Sequence, residues 1–179
     1  MVIGLTGKIC SGKNHIGRLL SSRGFEVWDL DREAEKIRRA KRTDIFNTFG
    51  TTDSGELAQK VFNNPGSLKQ LEDIIYPELK EKIKAYPFDL VINGALLNRA
   101  GFDSLCSFII FVDAPYEIRK DRALNQRHLS EEEFERRNTA QEDVNPASYS
   151  CPVRVIQNNG EADEEMMAQL DGILNGTWV

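Results

Sequence analysis

Cysteine and histidine are scarce in this chain of 179 residues, which has three Cys (Cys10, Cys106 and Cys151) and two His (His15 and His128). An odd, sparse set of cysteines excludes a disulfide framework, and the lack of a Cys-x-x-Cys pair weighs against zinc. The two histidines have no Cys or Asp at ligand spacing, so neither is a metal candidate. Long apolar runs are missing too. The longest, residues 108–112, has the length of a strand and not of a membrane span. The opening Met1-Val2-Ile3-Gly4-Leu5-Thr6-Gly7 lacks the basic start and apolar stretch of a signal peptide. A cytoplasmic protein without a membrane partner is expected. There is no excess of positive charge either: the net charge of −5 and a pI near 5.2 weigh against a nucleic-acid partner. No internal repeat and no low-complexity stretch occurs. Hydrophobic residues at 40% and charged residues at 28% are ordinary for a globular protein, so disorder is not expected. The length suits one compact domain.

What is present alternates. Short β-branched or aromatic runs at 2–5, 25–28, 90–92, 108–112 and 153–156 are bounded by Gly, Pro, Asn or Asp and read as strands. Helical patterns lie between them. Residues 14–23 form one. Residues 130–142 open with Ser130 and Glu133 at capping-box spacing. Residues 164–174 place Met166, Leu170, Ile173 and Leu174 on one face and stop at Asn175-Gly176. Strands separated by helices predict a parallel five-stranded sheet flanked by helices, and near-continuous apolar strands suit a sheet covered on both faces. Residues 31–87 are long, charged and helical in pattern, with breaks expected at Gly50, Gly55 and Asn64-Pro65-Gly66. Residues 116–145 are strongly charged. The first reads as a helical insertion and the second as a helical flap, both above the carboxyl edge where such sheets bind ligands.

The strongest local signal is Gly7-Lys8-Ile9-Cys10-Ser11-Gly12-Lys13-Asn14, which follows a strand and opens a helix, the context a P-loop requires. Gly7 and Gly12 permit a backbone that wraps a phosphate with its N–H groups. The helix that starts there turns its unpaired N–H groups and dipole to the anion. Lys13 reaches the terminal phosphates as a point charge. The motif normally ends in Ser or Thr, whose hydroxyl holds Mg²⁺. Asn14 stands there instead. It is the candidate Mg²⁺ ligand, through its amide oxygen or through water, with a plain helix-start residue as the alternative. Cys10 and Ser11 belong to the loop, and His15 follows and lines it.

A phosphoryl-transfer enzyme needs a carboxylate near the acceptor hydroxyl. Residues 25–31 run into Asp29 and Asp31, which in extended backbone point to one side. Asp31 is the candidate base, and Asp29 reads as a helix cap. Asp113, before Ala114-Pro115, reads as a cap or turn residue although its strand has a Walker-B outline. Arg119 and Arg122, three apart on a helix, would share a face and close with Arg127 over the transferring group. The run Lys36, Arg38, Arg39, Lys41 and Arg42 reads as an exposed helix face.

Taken in order, these residues resemble the dephospho-CoA kinase family over nearly the whole chain. Ile3-Gly4-Leu5-Thr6-Gly7 with Ser11-Gly12-Lys13 is similar to its opening, and Val27-Trp28-Asp29-Leu30-Asp31 to its Asp-x-Asp, the second Asp of which is the family's base. Phe49-Gly50, Asp53-Ser54-Gly55-Glu56-Leu57, Val61-Phe62-Asn63-Asn64-Pro65, Leu71, Tyr76-Pro77 and Leu96-Leu97 follow in order. So do Val112-Asp113, Arg122 and Arg127 of the lid, Ala140-Gln141, and Val155-Ile156-Gln157-Asn158-Asn159-Gly160, similar to the segment near the adenine of ATP. Asn14, Ala95, Arg99 and Asn93 depart from the pattern.

The resemblance implies a P-loop kinase core (about 1–30, 88–114 and 146–179), a helical CoA-binding insertion (about 31–87) and a lid (about 115–145). It implies ATP with Mg²⁺ as donor, the ribose 3′-hydroxyl of dephospho-CoA as acceptor, and a monomeric enzyme. Lys13, Asp31 and Arg122 would be catalytic. Gly7, Cys10, Ser11, Gly12, Lys13, Asn14, His15, Arg127 and Asn158 would hold the nucleotide. A P-loop kinase of the nucleoside monophosphate type, or an ATP-binding module without catalysis, are the alternatives.

Overall fold

The computed structural model describes residues 1–62, 64–160 and 163–176. Asn63 of the family-like segment and the expected core residues 161–162 and 177–179 lie outside them. The contacts divide the chain into two compact units, one of Met1–Val27 with Phe88–Val179 and one of Trp28–Pro87. No described helix is long and apolar enough to cross a membrane.

The sheet comprises β1 (Val2–Thr6), β2 (Glu26–Asp29), β3 (Leu90–Asn93), β4 (Phe108–Asp113) and β5 (Val153–Gln157), in the order β2-β3-β1-β4-β5; all of it lies in the larger unit except Trp28 and Asp29. β1 runs parallel to both β3 and β4, and β4 parallel to β5. The five strands expected from the sequence are all present, each within a residue or so of its expected ends. β3 is buried at every position and β4 at all four central ones, as a sheet covered on both faces demands. After β3 the chain crosses over β1 to form β4, so the order of the strands reverses beside β1. The crevice at the carboxyl end of a strand in that position is where open parallel sheets bind ligands.

α1 (Lys13–Ser22) covers the sheet through Ile16, Gly17 and Leu20, and α8 (Asp163–Leu174) through Met166, Leu170 and Ile173. The apolar side chains among them, Ile16, Leu20, Met166, Leu170 and Ile173, join Ile3, Leu5, Val91, Ile110, Val112 and Ile156 in one core, with Leu174 packed against it. Burying each such side chain contributes about 1.5–3 kcal/mol before its entropy cost. α6 (Tyr116–Asp121), a π-helical turn over Arg122–Gln126 and α7 (Glu131–Thr139) form the flap. Ser130 caps α7 by accepting from Glu133 N, but the Glu133 carboxylate pairs with Arg137, so the capping box is half made.

The smaller unit is helical: α2 (Leu30–Ala40), α3 (Arg42–Phe49), α4 (Ser54–Phe62) and α5 (Pro65–Ala85). Ile45, Phe49 and Leu57 form its centre, against Val61, Leu71 and Ile74. Gly50 ends α3 with φ of 72°, a left-handed cap that favours glycine. Gly55 is not a break. Asp53 Oδ1 accepts from the backbone N–H groups of Gly55 and Glu56, so Gly55 sits in the first turn of α4. In the basic run of α2, Lys36 and Arg39 face solvent, paired with Glu33 and Glu35, whereas Arg38 is largely covered and bonds both Glu35 and Ser54 Oγ.

Candidate active site

β1 ends at Thr6, and the chain turns through Gly7–Gly12 before α1 begins at Lys13. The turn needs unusual backbone. Gly7 has φ of 146°, and a Cβ there would stand 2.3 Å from Val112 O; Gly12 has φ of 106°, and a Cβ would stand 2.2 Å from Asn158 Nδ2. Cys10 also has a positive φ of 59°. A non-glycine residue in that region costs about 1–3 kcal/mol and is held by its surroundings. Here the surroundings are the flap: Cys10 and Ile9 are buried with Ala123 and Phe134, flanked by Tyr116 and Leu129. The flap thus packs on the crest of the loop. Ile9 N donates to Gln141 Oε1 at 2.7 Å, a second tie across to the segment after α7.

Lys13 folds over the loop, donating from Nζ to the carbonyls of Gly7 (2.7 Å) and Lys8 (3.0 Å). Arg122, at the start of the π-helical turn, reaches the same loop. Its Nη1 lies 3.3 Å from Cys10 O and 3.4 Å from Ser11 O, and its Nη2 donates to Asn158 Oδ1 at 2.8 Å. Asn158 is 3% exposed, and its Nδ2 donates to Ser11 O at 2.8 Å. One amide therefore clamps the loop on one side and Arg122 on the other. Two cations converge on a loop whose N–H groups and following helix present positive charge, an arrangement suited to polyphosphate.

Other expectations fare differently. Arg119 does not join Arg122 on a shared face. It is 6% exposed and donates to Ala114 O (3.0 Å) and Asn138 Oδ1 (2.8 Å), and burial lowers the pKa of its guanidinium. It braces the flap from inside. Arg127 is exposed on the flap beyond the π-helical turn. Asp29 caps α2 by accepting from Arg32 N at 3.1 Å. Asp31 is not in extended backbone beside it, because α2 already begins at Leu30; Asp31 is an exposed acid of its first turn. Asp113 closes β4, and its carbonyl accepts from Asn158 N at 2.7 Å; Pro115, not Asp113, caps α6. His15 lies 2.9 Å from Asp163 Oδ1. Arg99, standing where the family pattern has an acid, pairs with Asp143 and donates to Ala140 O at 2.8 Å.

Sequence reasoning gave no role to Gln141, whose only signal was its place in the family-like order. It missed Tyr149, whose hydroxyl lies 3.2 Å from Thr6 Oγ1 just before the loop and whose pKa burial raises. Nothing local marks a tyrosine so far down the chain as a neighbour of β1.

Asn14, the expected cation ligand, would offer a neutral oxygen. Among the described residues no group of three or more His, Cys, Asp or Glu could hold a metal. Asn14 Oδ1 accepts from Asn93 Nδ2 at 3.2 Å, and Asn93 Oδ1 is buried without a hydrogen-bond partner among the described residues. Hard oxygen donors that leave most of the shell to water and phosphate fit Mg²⁺ arriving with a nucleotide.

A parallel sheet with a glycine-bent phosphate loop after β1, and a helical flap packed on that loop, defines a P-loop kinase fold. The dephospho-CoA kinase family model matches residues 1–164. A dephospho-CoA kinase from Fusobacterium nucleatum is 32% identical over 187 aligned positions, covering 92% of each chain. A crystal structure from Thermus thermophilus superposes with a TM-score of 0.85 at 28% identity, covering 100% of this chain and 98% of that one. A shikimate kinase from Acinetobacter baumannii, at 18% identity, shares the fold with a TM-score of 0.59 over 98% of this chain and 93% of its own. The chain belongs to the dephospho-CoA kinase family.

Proposed function

We propose that this chain transfers the γ-phosphate of ATP to the ribose 3′-hydroxyl of dephospho-CoA, giving coenzyme A and ADP. The observation that carries the reading is a family match over residues 1–164 on a chain whose phosphate loop is gripped by Lys13 and Arg122.

The backbone N–H groups of Gly7–Asn14 cradle the phosphates, with Cys10, Ser11 and His15 shaping the loop. Lys13 and Arg122 neutralise the charge that spreads over the transferring group, and Arg127 adds to it from the flap. In this class of reaction positioning and electrostatics supply most of the acceleration. Asp31 orients the acceptor hydroxyl and takes its proton as the O–P bond forms. Asn158 sets the loop and Arg122 in register and borders the adenine. Asn14 would hold Mg²⁺, which when bound would screen the phosphate oxygens from one another. Residues 31–87 or so are the CoA-binding insertion, residues 115–145 the lid, and the rest the core. The flap excludes water, which would otherwise hydrolyse ATP. The enzyme works as a cytoplasmic monomer, without nucleic-acid or membrane partners.

The test is ADP formation from ATP with dephospho-CoA, against AMP, CMP and adenosine as acceptors, with Lys13→Ala as control. Transfer to dephospho-CoA alone, reduced at least about a hundredfold in the variant, is the expected result. Transfer to a nucleoside monophosphate instead, or ATP binding without transfer to any acceptor, overturns it.

A further inference from the structure

Arg99 stands in the connection between β3 and β4, outside the phosphate loop. That connection is anchored in the core on both sides of it, by Leu97 and Phe102, and Phe102 N donates to Leu97 O at 2.8 Å. Arg99 is therefore mounted on a fixed base although its own side chain is half exposed. It reaches the turn that follows α7. Its Nε donates to Asp143 Oδ2 at 2.8 Å, and its Nη2 donates to Asp143 Oδ1 and, at 2.8 Å, to Ala140 O. A planar guanidinium set on both oxygens of a carboxylate and on a carbonyl of the same turn fixes position as well as charge. It holds the Asp143 carboxyl below the usual carboxylate range. An acid at position 99 would meet Asp143 as a like charge.

The turn that Arg99 grips is stiff. Gln141 N donates to Asn138 O, Glu142 N to Thr139 O and Val144 N to Gln141 O, each at 3.1 Å, and Val144 is fully buried. Fixing Ala140 and Asp143 therefore fixes Gln141, which lies between them. Gln141 Oε1 accepts from Ile9 N of the phosphate loop at 2.7 Å. Two residues further on, Ser11 N donates to Lys8 O at 3.1 Å. Cys10, with its positive φ of 59°, is thus bracketed by two held amides. A strained turn of this kind persists only where its surroundings over-determine it. N–H groups that must meet phosphate bind best when they are fixed beforehand.

Resting on the nucleotide-site reading above, we propose that Arg99 is a positioning residue of the phosphate loop. It clasps Asp143 and Ala140, which seats Gln141 on Ile9 N and keeps the crest of the loop in the shape that receives a polyphosphate. Arg99 and Gln141 act on nucleotide affinity through the loop and not by contact with the nucleotide or the acceptor.

The experiment is calorimetric titration of the whole chain with ADP, with the melting temperature and the KM for dephospho-CoA measured alongside. The proteins are the wild type, Arg99→Glu, Gln141→Met, those two changes together, and the exchange of Arg99→Glu with Asp143→Arg. Gln141→Met keeps the length of the side chain and removes the acceptor oxygen. ADP affinity should fall about tenfold in each single variant, the effect of one well-placed hydrogen bond. The melting temperature of Arg99→Glu should move by no more than about 4 °C, because the ion pair is exposed. The double variant should bind ADP no more weakly than Gln141→Met alone, since Arg99 acts through Gln141. The exchanged pair should recover most of the affinity, and the KM for dephospho-CoA should not move. Unchanged ADP affinity in Arg99→Glu overturns the inference, as do additive losses in the double variant or a loss that the exchange leaves in place. A higher KM for dephospho-CoA with ADP affinity preserved also overturns it, by making Arg99 an acceptor contact. A large fall in melting temperature in step with ADP affinity does so by making the clasp merely structural. If Gln141→Met does not fold, Arg99→Glu and the exchange decide. Failure of the wild type to bind ADP overturns the nucleotide-site reading itself, an outcome distinct from ADP binding that the variants leave unmoved.

Discussion

Arg122 donates to Asn158 across 36 residues of chain, Nη2 to Oδ1 at 2.8 Å, and the other end of the same amide donates to the carbonyl of Ser11. The flap, the end of β5 and the phosphate loop thus meet on one side chain that is almost wholly buried. Asn158→Ala would leave Ser11 O without its side-chain donor and Arg122 without its anchor. The cost expected is about 1–3 kcal/mol of stability, read as a lower melting temperature. If Arg122 stabilises the transferring group as proposed, turnover should fall at least about tenfold, because such a group must be held in position. A variant with wild-type turnover would show that Arg122 is held by other means.

Gly12 is constrained twice. Its φ is 106°, and an added methyl would meet Asn158 Nδ2 at 2.2 Å. Gly12→Ala should lose about 1–3 kcal/mol of stability and most of its ATP affinity. Replacing Asn158 by Gly in the same chain removes the clash but not the backbone strain. The double variant should therefore recover only part of the lost stability, a result that denaturant unfolding of the four proteins reads directly.

Asp31 is an exposed acid in the first turn of α2. If it accepts the proton of the acceptor hydroxyl, Asp31→Asn should lower kcat by about 100- to 10,000-fold and leave ATP affinity within about twofold. Equal turnover in variant and parent would remove it from the mechanism. Loss of ATP affinity in step with turnover would make it a structural residue.

The pH dependence of stability should carry the mark of Glu35. Hydrogen bonds from Arg38 and then Arg39 hold its carboxyl at about 2, against an ordinary 4.5. The unfolded chain takes up this proton first as pH falls, so the contribution is present above about 4.5 and is lost toward 2. The group lies at the surface, where water screens such pairs to below about 1 kcal/mol. Glu35→Gln should therefore flatten the acid limb only slightly in urea unfolding between pH 5 and about 2. A large effect at pH 7 would show that the pair does more than the surface geometry supports.

Much of the site was legible because it is local. The strand, the Gly7-to-Gly12 turn and the helix behind it are contiguous, and their glycines and lysine have one physical use. The Asp29 cap was legible for the same reason. Where the reading failed, the backbone intervened. Three-residue spacing puts Arg119 and Arg122 on one face of an ordinary helix, but α6 ends at Asp121 and passes into a π-helical turn, which changes the register. Arg119 is turned inward to Ala114 and Asn138. The two aspartates share a side only in extended chain, and α2 begins between them at Leu30. Gly55 looked like a break until Asp53 capped the turn that contains it.

The sequence by itself determined the alternation of strands and helices, the parallel sheet and the phosphate loop, because apolar periodicity and glycine placement act over a few residues. Only the tertiary structure decided which distant polar groups meet. Gln141 on Ile9 N, Asn158 between Ser11 and Arg122, and Asn93 on Asn14 are contacts 132, 147, 36 and 79 residues apart in the chain. Such pairings arise from how helices and loops pack over the sheet edge, where the satisfaction of buried hydrogen bonds selects partners that no local pattern records.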